Sequence, residues 1–147
     1  RAMQAGLAPI VCLGETALDK LQGRSDAVLA EQVLTSIADV PDERVPEVIL
    51  AYEPRWAIGG SEAASPDYVA ARHLALREIV RHRCGKDIAD RTRIIYGGAV
   101  TPDNGAALLD IPDVDGLFVG RAAWTPEGFA RIVNLVHTAS RHKAGIV

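Results

Sequence analysis

Four short apolar runs, each followed by a stretch of helical character, constrain the fold of this chain more than any other feature. The runs cover residues 9–13, 48–53, 93–96 and 116–119. Each has the length of a strand and is nearly unbroken in its apolar character, which is typical of parallel strands buried on both faces. The regular order of strand and helix predicts an α/β fold built on a parallel sheet.

Two of the intervening segments carry an apolar stripe at helical spacing, which predicts one buried face on each helix. Three helix starts are predicted where a hydroxyl residue precedes proline, because the hydroxyl caps the helix and proline tolerates its first position. The first stripe is Ala30, Val33, Leu34 and Ile37, the second is Phe129, Ile132, Val133 and Val136, and the helix starts are Ser65-Pro66, Thr101-Pro102 and Thr125-Pro126.

Residues 48–60 (VILAYEPRWAIGG) lead an apolar strand directly into a carboxylate and then into a loop that ends in glycine. Pro54 removes a backbone donor and ends the strand, so Glu53 is expected at its carboxyl end, where α/β proteins place their chemistry. The loop after Glu53 has a rigid entry, a large indole at Trp56 and two glycines. This pattern favours a lid that closes over Glu53.

This stretch resembles the strand, catalytic carboxylate and lid of the triosephosphate isomerase family, whose usual pattern is AYEPVWAIGTG. Three further motifs are similar to the family's strands and occur in its order. Residues 10–15 (IVCLGE) are similar to the fifth strand, 93–100 (RIIYGGAV) to the seventh and 115–122 (DGLFVGRA) to the eighth. The resemblance spans nearly the whole chain and implies membership of that family.

The resemblance implies a (β/α)8 barrel, of which this chain supplies strands five to eight as one domain, residues 1–147. Such a barrel takes about 250 residues, so the chain is expected to be the C-terminal half. The segment before Gly6 reads as the tail of a helix, and we expect residues before it. Two open sheet edges would promote association of the chain on its own.

The resemblance implies an isomerase that interconverts glyceraldehyde 3-phosphate and dihydroxyacetone phosphate through an enediolate. Glu53 stands at the position of the family's catalytic base, although a salt-bridged glutamate at a strand end is the alternative. The positions of the family that bind the substrate phosphate are Gly59, Ala99, Gly120 and Arg121 here. For the Gly97-Gly98 pair alone, a tight turn is the commoner explanation of the glycines.

Several departures from the family pattern gather at the phosphate end. Ala99 replaces a serine, Arg121 a glycine, and Arg55 a smaller apolar residue; Ala123-Trp124 replace Ser-Leu, and Gly60-Ser61-Glu62 replace part of the lid. The guanidinium of Arg121 either binds the phosphate or points to solvent. Two alternatives therefore stay open: an isomerase of a four-carbon ketose phosphate such as erythrulose phosphate, and a non-catalytic phosphate-binding half barrel.

The composition is that of an ordinary globular domain, with 48% hydrophobic residues, 24% charged residues and a net charge of −3. This charge gives no basic surface for nucleic acid or an anionic membrane, and no apolar run has the length of a membrane span. We expect a small phosphorylated sugar as ligand, a cytoplasmic location and no cofactor. The resemblance implies a homodimer, formed through the family's N-terminal half.

The cysteines and histidines follow no spacing typical of a metal site, and none is given a chemical role. Cys12 lies in an apolar run and is predicted to be a small buried residue, and Cys84 ends a helix; a disulfide between them is the less favoured alternative. All four histidines fall in predicted helices: His73, His82, His137 and His142.

Overall fold

The computed structural model describes residues 1–59 and 63–143, and it contains four strands that alternate with helices. The strands are β1 (Ile10–Leu13), β2 (Ile49–Tyr52), β3 (Arg93–Tyr96) and β4 (Gly116–Leu117). The helices are α1 (Ala17–Leu21), α2 (Ser25–Ser36), α3 (Pro66–Cys84), α4 (Lys86–Arg91), α5 (Gly105–Asp110) and α6 (Pro126–Lys143). Short 3-10 helices cover Met3–Ala5, Asp42–Glu47 and Arg121–Ala123.

The four strands form one parallel sheet in the order β1-β2-β3-β4. Their register aligns the carboxyl ends, because Leu13 pairs with Tyr52, Tyr52 with Tyr96 and Tyr96 with Leu117. The loops that follow the strands therefore meet along one edge of the sheet. This arrangement confirms the α/β fold and fits half of a (β/α)8 barrel.

The core lies between the sheet and the helices that cover its outer face. Leu50 and Ile94 from the strands are buried there, as are Leu29 and Val33 of α2 and Leu76 of α3. Because side chains alternate along a strand, every second residue points to the opposite face.

The prediction that the strands are buried on both faces is wrong for β1, but on the same face Ala51 of β2 is fully buried. Ile10 on the inner face of β1 is 48% exposed, and Phe118 just after β4 is 37% exposed. Cys12, predicted to be buried, is exposed on the same face as Ile10. Both Cys12 and Cys84 are free thiols.

The helix predictions are confirmed in part. Val33 of α2 and Ile37 just after its end are buried, but Leu34 is 42% exposed. On α6, Ile132 is buried while Phe129 and Val133 are largely exposed. An apolar stripe at helical spacing therefore predicts which residues share one face of a helix. It does not predict whether another element covers that face.

Two of the three predicted helix starts are confirmed. Ser65 caps α3, and Thr125 accepts a hydrogen bond of 3.1 Å from the Gly128 amide at the start of α6. The start at Thr101-Pro102 is wrong, because residues 102–104 form a turn and α5 begins only at Gly105. Among the described residues, no helix is both long and apolar enough to cross a membrane.

Candidate active site

Glu53 follows the last residue of β2 and is fixed there by its backbone. Its amide donates a hydrogen bond of 2.7 Å to the carbonyl of Leu13, and after Pro54 the Arg55 amide donates one of 3.0 Å to the Glu15 carbonyl. Gly14 on the neighbouring loop lies against the same peptide, since a β-carbon at Gly14 would come within 1.9 Å of the Glu53 carbonyl oxygen. The half-buried side chain of Glu53 lines a cleft at the carboxyl end of the sheet.

The cleft has a volume of about 780 Å³ and is walled by the loops that follow β2, β3 and β4. It brings together all five residues that the sequence predicted for the site, although these residues come from three separate parts of the chain. They are Glu53, Gly59, Ala99, Gly120 and Arg121. One carboxylate and several backbone turns thus share one concave surface.

The loop after β3 packs against Glu53 without room for side chains. The Gly97 amide donates a hydrogen bond of 2.8 Å to the Tyr52 carbonyl. A β-carbon at Gly97 would lie 2.9 Å from Cγ of Glu53, and one at Gly98 would lie 2.5 Å from the hydroxyl of Tyr96. Close approach therefore requires both glycines. Ala99, which follows them, has a φ of 46°, a left-handed conformation that alanine rarely adopts.

The loop after β4 forms the opposite wall of the cleft. A 3-10 helix at Arg121–Ala123 begins directly after Gly120, so that Gly120, Arg121 and Ala122 line the cleft together. Trp124 ends that turn, lines the cleft and is 77% exposed. A cation and a large aromatic ring therefore stand at the rim beside two glycine-rich turns.

Glu15 anchors the loop that follows β2, and the sequence gave it no predicted role. Its carboxylate is fully buried and accepts hydrogen bonds from the indole of Trp56 at 2.7 Å, from Tyr68 at 2.9 Å and from Tyr52 at 3.1 Å. Lys20 lies over the Trp56 ring at 3.5 Å from its centroid. Glu15 closes the IVCLGE motif, and a carboxylate at a strand end was the signal that could have identified it.

Ala64, shortly before α3, is also tied to the sheet. The Ala64 amide donates a hydrogen bond of 3.3 Å to the hydroxyl of Tyr96, and burial raises the pKa of Tyr96. Burial also raises the pKa of Tyr52, followed by the charge of Glu15. Both hydroxyls thus stay protonated donors or acceptors at neutral pH. The predicted lid residues Gly60, Ser61 and Glu62 lie outside the described part of the chain.

Cys12 contributes a thiol to the surroundings of Glu53. Although Cys12 is exposed, partial desolvation of its thiol, and after it the hydrogen bond and the charge of the Glu53 carboxylate, raise the pKa of Cys12. The neutral thiol is therefore favoured beside the carboxylate. Within the described ranges, no group of three or more His, Cys, Asp or Glu side chains is arranged to hold a metal ion.

A parallel β/α half barrel with a carboxylate and glycine-rich turns at the carboxyl ends of its strands defines a class, the barrel proteins that build ligand sites on their βα loops. The family model described as triosephosphate isomerase matches residues 1–136. The chain belongs to the triosephosphate isomerase family.

Individual relatives agree with this assignment. The chain is 47% identical over 133 residues to a triosephosphate isomerase of Solibacter usitatus, covering 90% of this chain and 53% of the relative. It is 40% identical over 140 residues to an L-erythrulose-1-phosphate isomerase of Rhizobium etli, covering 94% of this chain and 51% of the relative. A triosephosphate isomerase of Symbiobacterium thermophilum is 43% identical over 131 residues, covering 89% of this chain and 51% of the relative. The chain spans about half the length of these curated relatives.

Proposed function

We propose that this protein acts in sugar-phosphate isomerisation, interconverting glyceraldehyde 3-phosphate and dihydroxyacetone phosphate with Glu53 as the base. The observation that carries the proposal is the position of Glu53, at the end of β2 and in one cleft with the glycine turns after β3 and β4. Membership of the family and the triosephosphate isomerase relatives support it.

The reaction needs a base that removes a proton from the carbon beside a carbonyl and returns it to the adjacent carbon. One carboxylate serves both steps, because the two carbons are neighbours and the intermediate enediolate stays bound between them. Glu53 is suited to this task, since its backbone is fixed by Leu13 and its side chain packs against Gly97. A fixed carboxylate keeps its oxygen close to both carbons.

The same proposal assigns the substrate phosphate to the backbone amides of Gly59, Ala99, Gly120 and Arg121. Amides in tight turns bind anions without adding a charged side chain. The guanidinium of Arg121 adds a positive charge at the rim of the cleft, where charge-assisted hydrogen bonds to a phosphate are favourable. No cofactor takes part in the proposed reaction.

A second substrate is favoured by a specific observation. The Rhizobium etli relative is named an L-erythrulose-1-phosphate isomerase, and this chain departs from the usual family pattern at Ala99 and Arg121. A four-carbon ketose phosphate is therefore the second candidate, with the same role for Glu53. A non-catalytic phosphate-binding half barrel is the third, and the retained glutamate speaks against it.

In the proposed mechanism Glu53 acts together with an asparagine, a lysine and a histidine that the family places in its first four strands. These groups polarise the oxygens of the substrate, so the 147 residues alone are expected to have negligible activity. A homodimer and a cytoplasmic location are further parts of the proposal.

The proposal is tested by an isomerase assay on the longest reading frame that contains this chain. Glyceraldehyde 3-phosphate and erythrulose phosphate are offered side by side, to the wild type and to a Glu53→Gln variant. We expect turnover of the triose phosphate and a loss of kcat of about 10²- to 10⁴-fold in the variant, as for removal of a general base. Preference for the tetrulose would select the second candidate, and turnover of neither would support the non-catalytic alternative.

A further inference from the structure

The backbone of Ala99 is held in a conformation that its side chain disfavours. Its φ of 46° lies in the left-handed region, where the β-carbon crowds the following carbonyl oxygen. The position lines the cleft next to Gly98, so the strain is stored in the wall of the site. Such a conformation persists only when surrounding contacts fix it.

Asn104 supplies contacts of that kind. Its side-chain Nδ2 donates a hydrogen bond of 3.0 Å to the Ala99 carbonyl, and its Oδ1 accepts one of 2.8 Å from the Thr101 amide. The Asn104 amide in turn donates to the Thr101 hydroxyl at 3.3 Å. One side chain thus bonds the strained residue and the end of the loop at the same time.

The other end of this loop is fixed by the hydrogen bond that the Gly97 amide donates to the Tyr52 carbonyl. Between the two anchors stand Gly98 and Ala99. If the Asn104 bond is lost, rotation of Ala99 toward negative φ relieves its strain and turns the peptide units on both sides of it. The amides of these units would then leave the cleft.

We infer that Asn104 is a positioning residue that directs the Ala99 backbone toward the substrate phosphate. This inference rests on the proposed function, which assigns Ala99 to phosphate binding. Asn104 does not line the cleft, and it acts only through the peptide that it holds. Its part in the reaction is to keep an anion-binding turn in shape before substrate arrives.

The inference is tested in the longest reading frame that contains this chain, with four proteins: wild type, Asn104→Ala, Ala99→Gly and the double variant. The measurements are KM and kcat for glyceraldehyde 3-phosphate, and the Kd of inorganic phosphate by calorimetry. Asn104→Ala is expected to raise KM and the phosphate Kd about tenfold with little change in kcat, because a hydrogen bond to a charged group is lost equally from ground and transition states.

The double variant separates positioning from stability. Glycine takes a positive φ without steric cost, so with Gly at position 99 the removal of Asn104 is expected to raise KM far less. Asn104→Asp keeps the acceptor for the Thr101 amide and serves if Asn104→Ala does not fold. If Asn104→Asp raises KM through its added charge, Ala99→Gly should not restore KM. If it raises KM through loss of the hydrogen bond to Ala99, Ala99→Gly should restore it.

Thr16→Ala is the stability control, because Thr16 caps α1 and does not line the cleft. It is expected to lower Tm without raising KM or the phosphate Kd. An Asn104→Ala variant with lowered Tm but wild-type KM and phosphate Kd would overturn the inference, as would an equal rise of KM in both backgrounds. A wild type that binds phosphate but turns over neither sugar would contradict the proposed function instead.

Discussion

Gly97 approaches Glu53 so closely that a β-carbon at position 97 would lie 2.9 Å from Cγ of the glutamate. The same β-carbon would lie 3.1 Å from the ring of Phe118 on the other side. The backbone cannot retreat easily, because the Gly97 amide is bonded to the Tyr52 carbonyl at 2.8 Å. The absence of a side chain at Gly97 therefore sets the position of the carboxylate.

We expect Gly97→Ala to displace the Glu53 side chain and to lower kcat of the proposed isomerase by about 10²-fold, the cost of a misplacement near 1 Å. Steady-state kinetics on the longest reading frame checks this. Gly23→Ala is a matched control, since Gly23 has a φ of 67° and no atom within 4 Å of an added β-carbon. The control should lose stability through backbone strain and keep kcat. Equal kcat in both variants would contradict the expectation.

Arg77 is expected to be costly to remove, because it is buried and has several partners. It is buried and forms ion pairs with Asp113 at 3.0 Å and with Asp115 at 2.7 Å, and it also donates to the Ala89 carbonyl. Arg77→Met would leave two partly exposed carboxylates and the carbonyls of Ala89 and Thr92 without their donor, and should destabilise the fold by about 1–3 kcal/mol for each unsatisfied carbonyl. Urea unfolding of the longest reading frame measures the change.

The control for Arg77 is Arg83→Met. Arg83 pairs with Asp42 at 2.7 Å, but both side chains are exposed, at 37% and 48%. An exposed pair contributes about 0–1 kcal/mol, so this variant should unfold close to the wild type. Similar losses in the two variants would contradict the view that burial makes the Arg77 pairs important.

Stability should depend on pH through His73, whose ring is buried and whose Nδ1 lies 3.0 Å from the Asp113 carbonyl. Burial lowers the pKa of His73 to about 4, from 6.5. The unfolded chain therefore binds a proton at a higher pH than the folded chain does. The part of the free energy of unfolding that depends on a neutral His73 is fully present above pH 6.5. It is lost as the pH falls toward 4, by about 3 kcal/mol in all.

His73→Phe should remove this part of the pH dependence, whatever its effect on stability at neutral pH. The measurement is urea unfolding at several values between pH 7.5 and pH 4.5, with the slopes of stability against pH compared. His82→Phe on the exposed side of α3 is the control and should keep the wild-type slope. A wild-type slope in His73→Phe would show that His73 does not titrate in this range.

The 147-residue chain expressed alone should associate with itself. The inner sheet face exposes Ile10 and Phe118, and in the described residues β1 and β4 each pair with one neighbouring strand. Open edges and apolar surface of this kind promote association. Gel filtration with light scattering is the measurement, and a monomer with one cooperative thermal transition would contradict the expectation.

Turnover by this chain that Glu53→Gln abolishes would contradict its proposed inactivity.

Much of the fold followed from local sequence because each strand and helix carries its own pattern. The run at Arg93–Tyr96 was predicted to the residue, and the other three strands differ by one or two residues at their ends. The helix start predicted at Thr101-Pro102 was wrong, since a hydroxyl residue followed by proline also starts a turn, and α5 begins at Gly105. Asn104, whose side chain closes that turn, gave no signal of its own.

The sequence by itself determined the order of strands and helices, the position of Glu53 at a strand end and the glycine turns, because propensity, proline and glycine act on neighbouring residues. Only the tertiary structure decided what meets across the sheet: Glu15 beneath Trp56, Gly97 against Glu53, and Asn104 on Ala99. It also decided that Cys12 and Ile10 are exposed. Burial and distant contacts depend on what packs against a face, and an apolar pattern is the same whether or not that face is covered.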